Sequence, residues 1–286
     1  MLNDSTHLLT NFAAFAHHIL KKSLVCHIKC ADLMRNQTLQ GLLWTIGSLA
    51  LIGNIMSFIY RIYFDKKRLK IGYGIFVTNL AISDLLMGIY LYIIAIADRV
   101  FRNRYIEAED YWRNSSWCRL AGVLSTVSSE ASVLFIALIT IDRILVIKFP
   151  FGDVRLSVRL AIALSIACLV SVLVLSIIPF IYVEYFSDGF YSKSAVCLAL
   201  PLTRDRPLGW RYSTSIFIGF NFVMLVLIAI GQLLIYLEIK KNTSAGIRMN
   251  VIRRNDLKVA RNLLMVITTD FMCWFPIGCT GNYIRH

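Results

Sequence analysis

Three acidic residues lie inside long apolar stretches of this sequence, where a charged side chain is costly. They are Asp84, Glu130 and Asp270. An acid within the hydrocarbon of a bilayer costs at least about 2.5 kcal/mol on insertion scales, so each is a candidate functional group. Carboxylates at such a depth can hold a cation or water, relay protons, or bond neighbouring helices. Asn54 and Ser132 add an amide and a hydroxyl in two other apolar stretches.

Two interpretations of the set Asn54, Asp84 and Ser132 remain open. In the first, the three form a polar cluster that holds water or a cation and differs between two packings of the helices. In the second, they are static hydrogen-bonding contacts between helices. Glu130 lies about 160° around its helix from Ser132, since two residues turn an α-helix by about 200°. It either faces a ligand cavity or pairs with a neighbouring helix.

Two further groups of residues have chemistry of their own. Asp142 and Arg143 are a charge pair at the end of an apolar stretch. The pair either snorkels to the membrane interface or locks a closed state that opens to admit a partner. Pro276 predicts a kink in the last apolar stretch. Trp274 lies close by and one turn from Asp270, and together the three are typical of a moving lever.

The elements that position these residues follow from the composition. Of the 286 residues 57% are apolar and 16% are charged, and the mean hydropathy is +0.65. A soluble domain of this size has more polar surface, so an ordinary soluble enzyme is excluded. Each apolar run reaches the roughly 20 residues that cross a bilayer as a helix. The sequence therefore predicts an all-α membrane protein with spans near 40–60, 71–97, 118–147, 158–181, 213–237 and 259–280.

Basic residues predict the orientation of the spans. Lys and Arg are about twice as dense in the connections after spans one, three and five as on the other side, which places those connections in the cytoplasm and the N-terminus outside. The net charge of +13 therefore indicates basic loops facing lipid, and nucleic acid is not an expected partner. Three glycosylation sequons lie on the predicted outer side, at Asn3, Asn36 and Asn114. We expect residues 1–39 to be an outer tail, 40–280 the helix bundle and 281–286 a short tail.

The cysteines predict one disulfide bond. Cys118 begins span three at its outer mouth, and Cys197 is the single cysteine of the outer loop between spans four and five. Because the outside of a cell is oxidising, we expect a Cys118–Cys197 bridge that holds this loop over the bundle. The sequence contains no zinc-type spacing of Cys and His, no phosphate-binding loop and no nucleophile elbow. We therefore expect neither a metal site nor an enzyme.

Several short motifs occur in order along the chain: Gly53-Asn54, Leu80 to Asp84, Cys118, Asp142-Arg143-Ile144, Cys197 and Cys273-Trp274-Phe275-Pro276. Together they resemble a rhodopsin-like (class A) G-protein-coupled receptor. Further residues are similar to the leucine-rich-repeat branch, especially the relaxin-receptor-like members: Asp84 to Leu91, Tyr111-Trp112 to Trp117-Cys118, Ser129 to Leu134, Asp270, and Cys26 with Cys30.

The resemblance implies a role for each candidate residue. Asp142, Arg143 and Ile144 would couple to a heterotrimeric G protein. Asn54, Asp84 and Ser132 would form an allosteric site for a sodium ion or water. The span-six switch would be Asp270, Trp274 and Pro276. The receptor would lie in the plasma membrane and bind an extracellular peptide or protein hormone, with Glu130 as a candidate contact in the ligand cavity.

This sequence also departs from the family pattern, and other functions stay open. Span five lacks the usual proline, and Gln232 stands where a tyrosine is common. A seventh span and its motif are missing, so we expect six of the seven spans. A truncated receptor that modulates a full-length relative is one alternative. A proton- or ion-coupled transporter that uses Asp84, Glu130 and Asp270 is another.

Overall fold

The computed structural model describes residues 33–34, 36–64, 71–148, 156–186, 190–199 and 208–244, with the backbone alone at 183, 192 and 239–244. These parts of the chain are helical, and none of them forms a strand. The all-α class predicted from composition is confirmed. The sixth predicted span, 259–280, lies outside the described residues.

Five long helices correspond to the first five predicted spans. Span five has three consecutive helical segments, and the middle one is a π-helix. The helices of spans one, three and five extend beyond both ends of the predicted apolar runs, because a helix continues through the polar interface of the membrane. Spans one to four are Gln37–Tyr63, Gly72–Val100, Ser116–Lys148 and Val158–Ile181, and span five is Trp210–Ser213, Thr214–Phe220 and Asn221–Ser244.

Side-chain caps define the beginnings of two spans. The Asn36 side chain accepts a hydrogen bond from the backbone N–H of Thr38 at 2.9 Å, ahead of span one. Ser157 does the same for Leu160 at 3.3 Å, ahead of span four. Each cap satisfies one of the backbone donors that the first turn of a helix leaves unpaired.

Span three lies at the centre of the described bundle. It packs against spans two, four and five, and Phe135 on span three and Phe76 on span two are fully buried between them. Spans one, two, four and five are long and apolar enough to cross a membrane by length and composition. Span three has 33 residues but a more polar composition. It can carry these polar groups because they face neighbouring helices rather than lipid.

The outer side holds shorter elements that the sequence analysis did not predict. A ten-residue helix, Tyr105–Asn114, connects spans two and three. It buries Tyr105 and Trp112, which are seven residues apart and so share one face. The second outer loop contains the helical turn Val183–Phe186 and the 3-10 turn Phe190–Lys193. These elements cover the outer ends of spans two to five.

Candidate functional site

A disulfide bond fastens the second outer loop to span three. Cys118, in the first turn of the span, and Cys197, in the loop, are bridged, and both residues are fully buried. The pairing predicted from the sequence is therefore present. The bridge connects positions 79 residues apart, so it holds the loop against the bundle independently of the intervening chain.

Two aromatic side chains hold the loop backbone beside the bridge. The indole N–H of Trp112 donates to the carbonyl of Ala195 at 2.8 Å. The hydroxyl of Tyr90 donates to the carbonyl of Val196 at 3.0 Å. These are the two residues before Cys197, so its position is fixed by span two, the outer helix and span three together. We call Tyr90, Trp112, Cys118 and residues 195–197 the outer cap.

The same loop is also bound to spans three and four through Tyr191. Its hydroxyl donates to the carbonyl of Ser176 at 2.8 Å. Its ring lies against Gly122, where an added Cβ would be 2.3 Å from ring carbon Cδ1. Because real Cβ atoms do not approach that closely, the contact requires glycine at position 122. Lys193 donates to the carbonyl of Leu208 at 2.8 Å, and burial lowers its pKa.

The segment before span one contacts the outer cap. The backbone N–H of Met34 donates to Asp98 Oδ1 at 2.8 Å, and the Gln40 side-chain amide donates to the Met34 carbonyl at 2.7 Å. The Met34 side chain is 7% exposed and belongs to the apolar cluster that contains Cys118 and Cys197. The chain entering the bundle is therefore packed into the same apolar cluster as the disulfide.

In the middle of the bundle, the structure brings two of the three predicted polar residues together. Ser132 Oγ on span three donates to Asp84 Oδ1 on span two at 2.9 Å. The Asn54 amide donates to the carbonyl of Ala50, on its own helix, at 2.9 Å. Asp84 and Ser132 thus form a direct hydrogen bond between two helices, whereas the Asn54 amide bonds to the backbone of its own helix, span one.

Glu130 bonds span three to span five. The Asn221 amide donates to Glu130 Oε1 at 2.9 Å, and the exposed fractions of the two residues are 1% and 8%. Of the two environments left open by the sequence, the structure shows the contact with a neighbouring helix. Asn221 begins the α-helical part of span five, directly after the π-helical segment Thr214–Phe220.

At the inner end of span three, the predicted charge pair is closed. Arg143 Nη2 donates to Asp142 Oδ2 at 2.8 Å, and both side chains are buried. The guanidinium carbon of Arg143 lies 3.9 Å from the ring centroid of Tyr73, at the inner end of span two. Such a cation–π contact is strongest where water is excluded. We call Tyr73, Asp142 and Arg143 the inner lock.

One helical turn before the lock, span three meets span five. The Gln232 amide donates to Thr140 Oγ1 at 3.1 Å, and both residues are buried. Gly231 lies beside this bond, and an added Cβ there would be 2.6 Å from Thr140 Cγ2. The glutamine that departs from the family pattern therefore forms a polar contact between the inner halves of the two spans.

Several predicted residues have no tested role or lie outside the described residues. Asn36 is the helix cap described above, and Asn114 ends the outer helix, where its amide donates to the Asp110 carbonyl at 2.9 Å. Glycosylation at both positions stays a prediction. Asp270, Trp274, Pro276 and Asn3 lie outside the residues that the structure describes.

The sequence analysis missed Tyr73 and Asn221, which hold two of its candidate residues in place. Asn221 carried a usable signal, because it is an amide inside an apolar span, like Asn54. Tyr73 carried none, since an aromatic residue at the end of a membrane span is ordinary at an interface. Only its position over Arg143 distinguishes it.

Comparison of the sequence with known proteins finds relatives among membrane receptors. The profile of the family described as "7 transmembrane receptor (rhodopsin family)" matches residues 53–283. The chain is 42% identical over 252 residues to the G-protein coupled receptor GRL101 of Lymnaea stagnalis, an alignment that covers 88% of this chain and 22% of that protein. The relatives are receptors, which confirms the prediction that the chain is not an enzyme.

Hormone receptors are among the other relatives. Human Relaxin receptor 2 is 28% identical over 247 residues, covering 86% of this chain and 32% of that protein. A "Probable glycoprotein hormone G-protein coupled receptor" of Anthopleura elegantissima is 26% identical over 253 residues, covering 88% and 26%. The chain thus spans about a fifth to a third of the length of these relatives. The resemblance to relaxin-type receptors is confirmed.

Proposed function

Because this chain belongs to the rhodopsin family of seven-transmembrane receptors, we propose that it transmits the binding of an extracellular peptide or protein hormone to a heterotrimeric G protein. Family membership and the hormone-receptor relatives support a signalling receptor that crosses the membrane several times. The hormone class, the coupling partner and the plasma-membrane location are the proposed parts. The basic connections on one side of the bundle support a cytoplasmic inner face and an outer N-terminus.

A single observation carries this proposal: span three connects the outer cap to the inner lock. Cys118 is bridged at one end of the helix, and Arg143 is buried against Tyr73 and Asp142 at the other. A helix of 33 residues is about 50 Å long at the rise of an α-helix. Movement at the outer cap therefore has a continuous rigid element through which it can reach the lock.

The proposed coupling step is the opening of the inner lock. In the closed arrangement, Asp142 and the Tyr73 ring hold the Arg143 guanidinium inside the bundle. Opening would release its donor groups to a G protein at the inner face, with Ile144 beside it on the same helix. Asp270, Trp274 and Pro276 are proposed to form the lever in span six. The kink expected at Pro276 supports that role.

On the outer side, the ligand is proposed to act on the second outer loop. The loop is bonded to spans two, three and four, so a ligand that displaces it pulls on three helices at once. Glu130 is proposed as a polar contact of the ligand cavity. Its position on the face of span three toward span five supports this role.

Releasing Arg143 from the Tyr73 ring is expected to raise agonist-independent signalling. A buried cation–π contact contributes about 1–2 kcal/mol, so Tyr73→Leu should shift the closed–open equilibrium roughly tenfold toward the open form. Nucleotide exchange on purified heterotrimeric G protein, measured with membranes of matched receptor content, reports the shift. Tyr73→Phe keeps an aromatic face and should raise exchange less than Tyr73→Leu.

The control is Tyr63→Leu, on the same membrane side at the end of span one, where the tyrosine is 69% exposed. It should leave exchange unchanged. Equal exchange in Tyr73→Leu and the parent protein would mean that the ring does not hold the arginine. Absence of any exchange in every variant, including the parent, would count against the receptor function itself.

Asp84 and Ser132 are proposed to hold a sodium ion or water. A carboxylate and a hydroxyl within 2.9 Å of each other supply the oxygen ligands that hard cations prefer. Asn54 is proposed to contact the site through a water molecule rather than directly, because its amide donates to the carbonyl of Ala50. A bound cation would stabilise the arrangement in which spans two and three are linked through these side chains.

Sodium is therefore expected to raise the melting temperature of the purified protein through Asp84. A ligand at about 100 times its Kd adds about 2.7 kcal/mol to stability. The measurement compares sodium chloride with choline chloride at equal ionic strength. Asp84→Asn should lose the sodium-dependent shift, and Glu130→Gln should keep it. An equal shift in Asp84→Asn would show a general salt effect instead.

A further inference from the structure

The hydrogen bonds of Asn221 fix the orientation of its amide. Nδ2 lies 2.9 Å from Glu130 Oε1, 3.4 Å from the carbonyl oxygen of Ile216 and 3.3 Å from that of Phe217. All three neighbours are acceptors, so the nitrogen must point toward them and the oxygen away. The usual ambiguity between the two ends of an amide is thus resolved by chemistry.

Within the described part of the chain, this orientation leaves two buried oxygen atoms without a donor. They are Glu130 Oε2 and Asn221 Oδ1. A buried acceptor that lacks a donor costs about 1–3 kcal/mol, and a buried charge costs more. Because one such acceptor lies on each partner of the same hydrogen-bonded pair, a single hydrogen shared between them would satisfy both.

The described surroundings of Glu130 supply no compensating charge. Among the described residues, no Lys, Arg or His forms an ion pair with it. The titratable groups on its span-five and loop side are Tyr212 and Tyr191, whose hydroxyls donate to the carbonyls of Leu175 and Ser176. On the span-two side, Asp84 is bonded to Ser132. Against the described residues, a negative charge on Glu130 would therefore be buried without a positively charged partner.

We infer that Glu130 and Asn221 together bind one proton. The proton resides on Glu130 Oε2 and is donated to Asn221 Oδ1, while Asn221 Nδ2 donates to Glu130 Oε1. A neutral carboxylic acid and a primary amide match as two planar forks, each with one donor and one acceptor, so the pair closes a ring of two hydrogen bonds. Both orphaned oxygens are then satisfied.

The bound proton has a structural consequence for span five. Asn221 Nδ2 also reaches the carbonyls of Ile216 and Phe217, which lie in the π-helical segment. Loss of the proton would place two oxygen acceptors, one of them charged, against each other. The amide would have to turn, and its bonds to the π-helical carbonyls would be lost. The proton thus stabilises both the contact between spans three and five and the π-helical geometry.

Infrared spectroscopy of the purified protein tests the bound proton directly. The difference spectrum between the parent protein and Glu130→Gln at pH 7 should show the carbonyl band of a protonated carboxyl group in the parent alone. Asn221→Leu, which leaves Glu130 in place, should shift this band by removing its partner. Glu107→Gln, which removes an exposed acid of the outer helix, should leave the band intact. Carboxylate bands alone at pH 7, or a band unmoved in Asn221→Leu, would overturn the inference.

Thermal stability provides a second measurement. Glutamine at position 130 can form the same two-bond ring with Asn221 but cannot lose a proton. The unfolded chain releases this proton at about pH 4.3, the ordinary pKa of glutamate, whereas the folded parent protein keeps it to higher pH. The stability of the parent should therefore fall as the pH rises, until the folded protein also loses the proton. The melting temperature of the parent should therefore decrease relative to Glu130→Gln between pH 6 and 9. Parallel curves would contradict the proposal, whether or not the protein couples to a G protein.

Discussion

Replacing Arg143 by alanine is expected to reduce G-protein nucleotide exchange by at least about tenfold, because a charge-assisted contact of 1.4 kcal/mol or more is lost from the open form. The guanidinium is held 2.8 Å from Asp142 and stacked on Tyr73 in the closed form. Its planar fork of donors is the group that opening would present at the inner face. Lysine lacks this fork, so Arg143→Lys should recover only part of the exchange.

The removal of one charge from a buried pair can destabilise the protein, since the other charge is left behind. The double variant Asp142→Asn/Arg143→Ala removes both charges, so a loss of exchange in it is not caused by an unpaired buried charge. Arg119→Ala is the matched control, because Arg119 is exposed at the opposite end of the same helix. Exchange should be normalised to the receptor at the cell surface. Normal exchange in Arg143→Ala at equal surface amount would exclude the inner lock as the coupling site.

Loss of the disulfide is expected to have the second large effect, on delivery to the cell surface. For two cysteines 79 residues apart, the chain-entropy model gives about 4–5 kcal/mol for a cross-link. This is an upper value here, because the membrane already restrains spans three and four in the unfolded state. Cys118→Ser and Cys197→Ser should each remove most surface receptor, and the double variant should be no worse than either.

Cys168→Ser is the control for this prediction, since Cys168 is a free cysteine of span four. Surface biotinylation with an outer epitope tag measures delivery, and antibody access to the second outer loop measures its release. Full surface delivery of Cys118→Ser with an unchanged loop would show that Tyr90, Trp112 and Tyr191 hold the loop without the bridge.

The features that the sequence predicted well are those that depend on the surroundings of the chain, the lipid and the oxidising outside of the cell. Lipid forces an apolar run of about 20 residues into a helix, so spans one to five were found with ends correct to within a few residues, except at the inner end of span five. The disulfide was predictable because Cys197 is alone in its loop and the outside is oxidising. These arguments need no knowledge of which faces of the helices meet.

The features that sequence missed depend on those faces. The outer helix Tyr105–Asn114 is short and mostly polar, so it gives no hydropathy signal. Glu130 could not be assigned to a cavity or to a neighbouring helix until span five was placed beside it. Asn54 was grouped with Asp84, but its side chain bonds its own helix, an alternative open to every amide in a helix.

The π-helical segment Thr214–Phe220 changes how positions along span five should be compared with those of a regular helix. Tyr212 and Asn221 are nine residues apart, which in an uninterrupted α-helix amounts to about two and a half turns and opposite sides. Here the seven residues Thr214–Phe220 between them form a π-helix, whose i→i+5 hydrogen bonds turn the chain less per residue than those of an α-helix. A helical-wheel projection drawn from the inner half of span five therefore assigns the outer half to the wrong sides. When mutational data or alignments cross this segment, the change in rotation per residue must be taken into account before residue numbers are used to infer which positions share a face.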